Sequence, residues 1–107
     1  MELQTAIQRM IKDIKKNDVK IQVTGYIKEL IIEDKFILDD TTGKIDVNIK
    51  GFDFMFNNDD LVNVIGNLEI QLSGEMSIQP EFIQDMKKLN FTYYEKLYEI
   101  KKELLNQ

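Results

Sequence analysis

The sequence predicts an all-β core, a five-stranded barrel, with one α-helix before it and another after it. Three observations carry this expectation. The stretch VKIQVTGYIKELII, Val19 to Ile32, alternates apolar and polar residues around an internal glycine, which suits a long strand that bends sharply, as barrel strands do. Two short alternating runs follow, joined by the acidic, small-residue knot Asp39-Asp40-Thr41-Thr42-Gly43. At both ends of the chain, apolar residues recur instead at helical spacing.

In chain order, residues 5–16 read as the first helix. Ala6, Ile7, Met10, Ile11 and Ile14 fall on one face, and Thr5 and Gln8 have the spacing of a capping box. Lys12, Lys15 and Lys16 complement the dipole at its end, where Asn17 suits a left-handed stop. The barrel is expected over residues 19–80. Val19, Ile21, Val23 and Ile27 point inward along the first strand, with Gly25 at one inward position. Lys35 to Asp39 and Lys44 to Ile49 are the second and third strands, with Phe36, Leu38, Ile45, Val47 and Ile49 inward. Leu61 to Ile70 is the fourth, its VNVIG apolar enough for burial on both faces. Leu72 to Glu75 is a turn, and Met76 to Pro80 a short last strand whose proline fits an edge or an end.

The second helix occupies residues 91–105, with Thr92 and Glu95 repeating the capping-box spacing. Tyr93, Leu97, Ile100 and Leu104 form one stripe; Tyr94, Tyr98 and Leu105 form a second beside it. Together they cover an apolar arc of roughly 160°. That is wide for a helix leaning on a single surface.

With 107 residues the chain fits one domain, and 43% hydrophobic and 31% charged residues make a globular composition. No segment approaches the roughly 20 apolar residues a membrane span requires, and MELQTAIQ has neither part of a secretory signal. The expectation is a soluble intracellular chain, nuclear in a eukaryote and cytoplasmic in a prokaryote. Without cysteine or histidine, thiolate and imidazole nucleophiles and structural zinc sites are excluded. There is no glycine-rich phosphate loop and no nucleophile beside a base, so neither catalysis nor a cofactor is expected. The net charge of −5 argues against a chain that grips nucleic acid strongly by itself.

The acidic knot admits three readings. A calcium loop needs ligands at alternate positions, glycine at the sixth and a late glutamate; counted from Asp39, glycine arrives at the fifth and no glutamate stands at the twelfth. A catalytic pair is equally poor, because adjacent carboxylates at a strand end point apart. Asp and Thr do hydrogen-bond their own backbone in turns, and Gly43 is expected to supply a positive φ. The knot reads as a hairpin turn.

Five strands, the first long and bent and the next two in a tight hairpin, match a Greek-key OB barrel. On KFILDDTTGKIDVNI, preceded by VTGYIKEL and followed by DDLVNVIGNLEI, the chain resembles the single-OB subunits of replication protein A and the telomere-capping subunits related to them. The resemblance continues through QPEFIQDMKKLNFTYYEKLYEI and covers roughly Asp18 to Leu105. It implies that the C-terminal helix joins partner OB-fold subunits in a helix bundle, with Tyr93, Leu97, Ile100, Leu104, Tyr94 and Tyr98 at the interface of a hetero-oligomer.

OB folds hold single strands around the second and third strands, by aromatic stacking and a basic groove. The outward residues there are Lys35, Ile37, Asp39, Lys44, Asp46 and Asn48, with no aromatic ring. Stacking is worth about 1–3 kcal/mol per base, so weak binding by the isolated chain is expected. The candidate contacts are Tyr26, Lys28, Lys35, Lys44, Asn48, Lys50 and Phe52, although Phe52, Phe54 and Phe56 also suit a barrel plug. Lys12, Lys15, Lys16 and Lys20 form a second basic cluster, which a charged helix end explains. Three functions stay open: a non-catalytic subunit of a single-stranded-DNA-binding complex in replication or repair, an OB scaffold with little nucleic-acid binding, and an RNA-binding OB module.

Overall fold

The computed structural model describes residues 5–105. Its elements are β1 (Ile7–Gln8), β2 (Lys20–Ile31), β3 (Lys35–Asp39), β4 (Lys44–Asn48), β5 (Leu61–Ile70), β6 (Met76–Asp85) and α1 (Phe91–Leu105). The barrel closes in the order β2–β3–β4–β6–β5, with β5 returning antiparallel to β2 and β4 meeting β6 in parallel. Alternation sets the core: Ile21, Val23, Ile27, Phe36, Leu38, Ile45, Val47 and Ile49 are buried, together with Val62, Val64 and Ile78. No helix among the described residues is long and apolar enough to cross a membrane.

β2 serves two neighbours by bending. Lys20 to Tyr26 pair with β5, and Tyr26 to Ile31 pair with β3. Gly25 sits at the change of partner, where a Cβ would lie 2.8 Å from the Asp39 carbonyl oxygen. Only a glycine lets the end of β3 approach so closely. The tight hairpin pairs Lys35 with Asn48 through to Asp39 with Lys44, without slippage.

The last strand is longer than its sequence signal, running through Pro80 to Asp85. A register shift between Ile65 and Gly66 places the proline at an irregularity, where its missing N–H costs no regular ladder bond. Between β4 and β5 the chain is irregular, and Phe52, Phe54 and Phe56 pack against the barrel core. Phe54 stacks on Phe36 with centroids 5.3 Å apart. These rings are a plug.

The N-terminal helix expected over residues 5–16 does not form. Ile7–Gln8 is a parallel β-bridge to Ile21 and Gln22, and Ile11–Asp13 is a single 3₁₀ turn. The backbone donors that a helix would use internally find their acceptors elsewhere in the fold. Arg9 N–H donates to the Gln22 carbonyl, Ile11 N–H to an Asp40 carboxylate oxygen at 2.6 Å, and Lys12 N–H to Thr42 Oγ1. Gln8, read as half of a capping box, donates instead to the Tyr94 hydroxyl at 2.8 Å. Tertiary acceptors therefore override a helical periodicity of which Met10 alone is fully buried.

Asp40, inside the acidic knot, is 0% exposed. One oxygen accepts from Thr42 N–H, Thr42 Oγ1 and Gly43 N–H, and the other from Ile11 N–H. The left-handed residue of the turn is Thr41, at φ 74°, and not Gly43. Its N–H donates to Asp39 Oδ1 at 2.8 Å, a local bond that favours the tight turn. The knot is thus a hydrogen-bonded turn and also the anchor of the N-terminal segment. Asp40→Asn keeps the turn acceptor but sets an amide donor against Ile11 N–H, an expected loss of about 1–2 kcal/mol. Hydrogen exchange should then speed up at Ile11 and Lys12 while β3 and β4 stay protected. Unchanged exchange at Ile11 would discount Asp40 as the anchor.

Candidate nucleic-acid and assembly surfaces

α1 begins where Asn90 Oδ1 accepts from Tyr93 N–H at 3.1 Å, so Asn90, rather than Thr92, caps it. Its two stripes have opposite fates. Phe91 and Tyr98 are buried and Tyr94 is half-buried, in a second core with Met10, Leu61, Tyr26, Met86 and Leu89. Tyr93, Leu97, Ile100 and Leu104 are 61, 40, 54 and 65% exposed. The expected interface therefore divides: Tyr94 and Tyr98 are spent on the chain's own fold, and the other stripe faces outward. Leu105, placed with the inner stripe by its spacing, is exposed.

Polar contacts from the N-terminal segment fix the helix. Asp13 accepts from the Tyr98 hydroxyl at 2.8 Å and from Lys102 Nζ at 2.9 Å. Burial, aided by the Asp13 carboxylate, pushes the Tyr98 phenol up to about 12. Burial raises the Asp13 carboxyl, but hydrogen bonds from Lys102 and Tyr98 lower it by more, leaving it below the ordinary carboxylate range. Beside it, the Arg9 guanidinium donates twice to Asp18, at 2.9 and 3.0 Å, and holds that carboxyl down as well.

Both depressed carboxyls favour the charged form in the fold. The stability they contribute is present above the unfolded value near pH 4 and is lost as pH falls through the folded values. The melting temperature should therefore hold through neutral pH and fall below about pH 4. Asp18→Asn should flatten part of that acid slope. An identical slope in the variant would show that the Arg9–Asp18 pair is not its source.

The predicted nucleic-acid contacts are largely occupied within the chain. Tyr26 is half-buried and makes an edge contact with Phe91, centroids 5.4 Å apart, so it joins barrel to helix. Lys28 pairs with Asp59, Lys35 with Asp46 at 3.4 Å, and Lys50 with Asp34 at 3.5 Å. Asn48 Oδ1 accepts from Lys50 N–H, and Phe52 packs against the core. Lys44 is exposed and has no carboxylate partner among the described residues. The hairpin face thus carries one unpaired lysine, where spacing gave four candidate lysines around it.

Two groups escaped the sequence reading. Asp40 gave no signal beyond its place in a turn. Arg9, Lys15, Lys101 and Lys102 meet at one cleft of ≈ 380 Å³ between the N-terminal segment and α1; Lys101 and Lys102 are adjacent in sequence, but nothing there ties them to Arg9.

No protein-family model matches the sequence, and no curated protein matches it. Solved structures do. A chain of the S. pombe Stn1-ten1 complex superimposes with a TM-score of 0.72 at 13% identity, covering 94% of this chain and 94% of that one. The hypothetical protein ygiW from E. coli superimposes with a TM-score of 0.58 at 18% identity, covering 78% of this chain and 91% of that one. At such identities the likeness is one of fold. The chain is an OB-fold barrel carrying a C-terminal helix.

Proposed function

We propose that this chain is a non-catalytic subunit of a single-stranded-DNA-binding complex of the replication protein A or telomere-capping kind. It assembles onto another OB-fold subunit through α1. The observation that carries the reading is the outward stripe of Tyr93, Leu97, Ile100 and Leu104 on a helix whose other stripe is already buried. A monomer has little reason to keep four large apolar side chains aligned in water. The likeness to a chain of the Stn1-ten1 complex, over 94% of both, is consistent with a small OB subunit built for pairing.

A second reading, an OB scaffold that leaves nucleic acid to its partners, is favoured by the ion pairs at Lys28, Lys35 and Lys50. Titration of the purified chain into fluorescent oligo-dT, at low and raised salt and with an oligo-U competitor, separates the two. Salt-sensitive binding that prefers dT supports a DNA-binding subunit. No binding at low salt supports the scaffold, and preference for oligo-U supports an RNA-binding module.

A further inference from the structure

The cleft between the N-terminal segment and α1 collects cations on a chain of net charge −5. Arg9, Lys15, Lys101 and Lys102 line it, against Asp13 as the lining carboxylate. Asp13 is met by Lys102, and Arg9 by Asp18. Lys15 and Lys101 are exposed and have no carboxylate partner among the described residues. Residues 14–16 are not helical, so a charged helix end does not account for Lys15. Part of the lining is apolar: Ile7 is 45% and Leu105 84% exposed, and the buried Tyr98 lies among the lining residues. Free ammonium groups beside exposed apolar side chains suit a ligand that is anionic along one side and flat and apolar along the other.

We propose that this cleft, rather than the β3–β4 hairpin face, is where the chain grips a nucleic-acid single strand. Lys15 and Lys101 hold phosphodiesters, and Ile7 and Leu105 offer surface to bases or sugars. The contrast with the hairpin is electrostatic. A phosphate arriving there meets Asp46, Asp34 or Asp59 within 3.5 Å of its lysine, whereas Lys15 and Lys101 form no ion pair among the described residues, and Asp18, whose carboxylate feels the Lys15 charge, is already held by Arg9. The proposal rests on the nucleic-acid half of the function proposed above and moves its location.

The test is anisotropy of fluorescent oligo-dT with the full-length chain, Lys15→Gln/Lys101→Gln, and Lys44→Gln as the hairpin control. The double variant should lose about tenfold in affinity at low salt. Its plot of log K against log salt should flatten by roughly 1.4, at about 0.7 for each single-strand phosphate that is no longer neutralised. The Lys44 variant should bind like the wild type. Lys15→Ala/Lys101→Ala repeats the comparison should the first pair fail to fold. Binding that survives the double substitution, or falls only with Lys44→Gln, overturns the cleft and leaves the proposed function standing. A wild-type chain that binds no oligonucleotide removes both the cleft and the DNA-binding half of that function. Full competition by inorganic triphosphate at equal phosphate concentration overturns the strand reading in favour of a small-anion site.

Discussion

A chain carrying Leu97→Glu and Ile100→Glu together should stay folded and lose the assembly proposed for α1. Both positions face water, at 40 and 54% exposure, so two glutamates cost the isolated barrel little. Circular dichroism and the melting temperature of the isolated chain should match the wild type within about 2 °C, the shift expected for a few tenths of a kcal/mol. In an assembled helix pair the same carboxylates lose water without gaining a cation. Truncating a hot-spot residue at the centre of an interface costs about 2 kcal/mol or more, so two such residues should cost upwards of about 4 kcal/mol, near a thousandfold in affinity. Light scattering of the co-purified complex reads this directly. Assembly at wild-type strength would take the stripe out of the interface. Tyr98→Ala should do the reverse, loosening α1 from its own fold by emptying a buried site bonded to Asp13.

Gly66→Ala should destabilise the barrel more than any single surface change. The added Cβ would stand 2.3 Å from the Gln79 carbonyl oxygen and 2.7 Å from Pro80 Cα. Both obstacles are backbone, and Pro80 cannot rotate its φ to make room. Relief requires β6 to move away from β5 where the register already shifts. Overpacking typically costs about 1–3 kcal/mol, and against two backbone obstacles the upper end, about 3 kcal/mol, is expected, which lowers the melting temperature of a domain this size by some 10–20 °C. Gly43→Ala is the milder control, because its Cβ meets only the Ile11 side chain, at 2.9 Å for Cγ2. Equal melting temperatures for Gly66→Ala and wild type would mean that the β5–β6 crossing is looser than described.

The barrel was legible because its signal is local. Alternation fixes which residues of β3 and β4 face inward, and a composition of Asp, Thr and Gly fixes the turn between them. The N-terminal segment misled for the opposite reason. Its apolar spacing fits a helix, but the acceptors that pull its backbone apart, Asp40 and Thr42, lie 29 and 30 residues away. The limit of β6 was hidden by a proline whose register irregularity depends on Gly66 of another strand.

The candidate sites divide along the same line. Spacing revealed both stripes of α1, but the inner one is set by its packing on Met10, Leu61 and Tyr26 together with bonds to Gln8 and Asp13, each more than 80 positions earlier. The lysines around the hairpin were visible as charges. Their neutralisation was not, since Asp59 reaches Lys28 across 31 positions and only the fold brings them together.

The stitching of α1 to residues 8 and 13 also sets an order of events. The contacts span 86 and 85 residues, so they cost the least closure entropy once the barrel has already brought residues 8 and 13 beside α1, and late docking of the helix is the expected order. A nascent chain whose barrel has closed but whose helix is still unmade has no outward stripe to offer. A partner that recognises the stripe, as proposed above, would bind only chains whose α1 has formed.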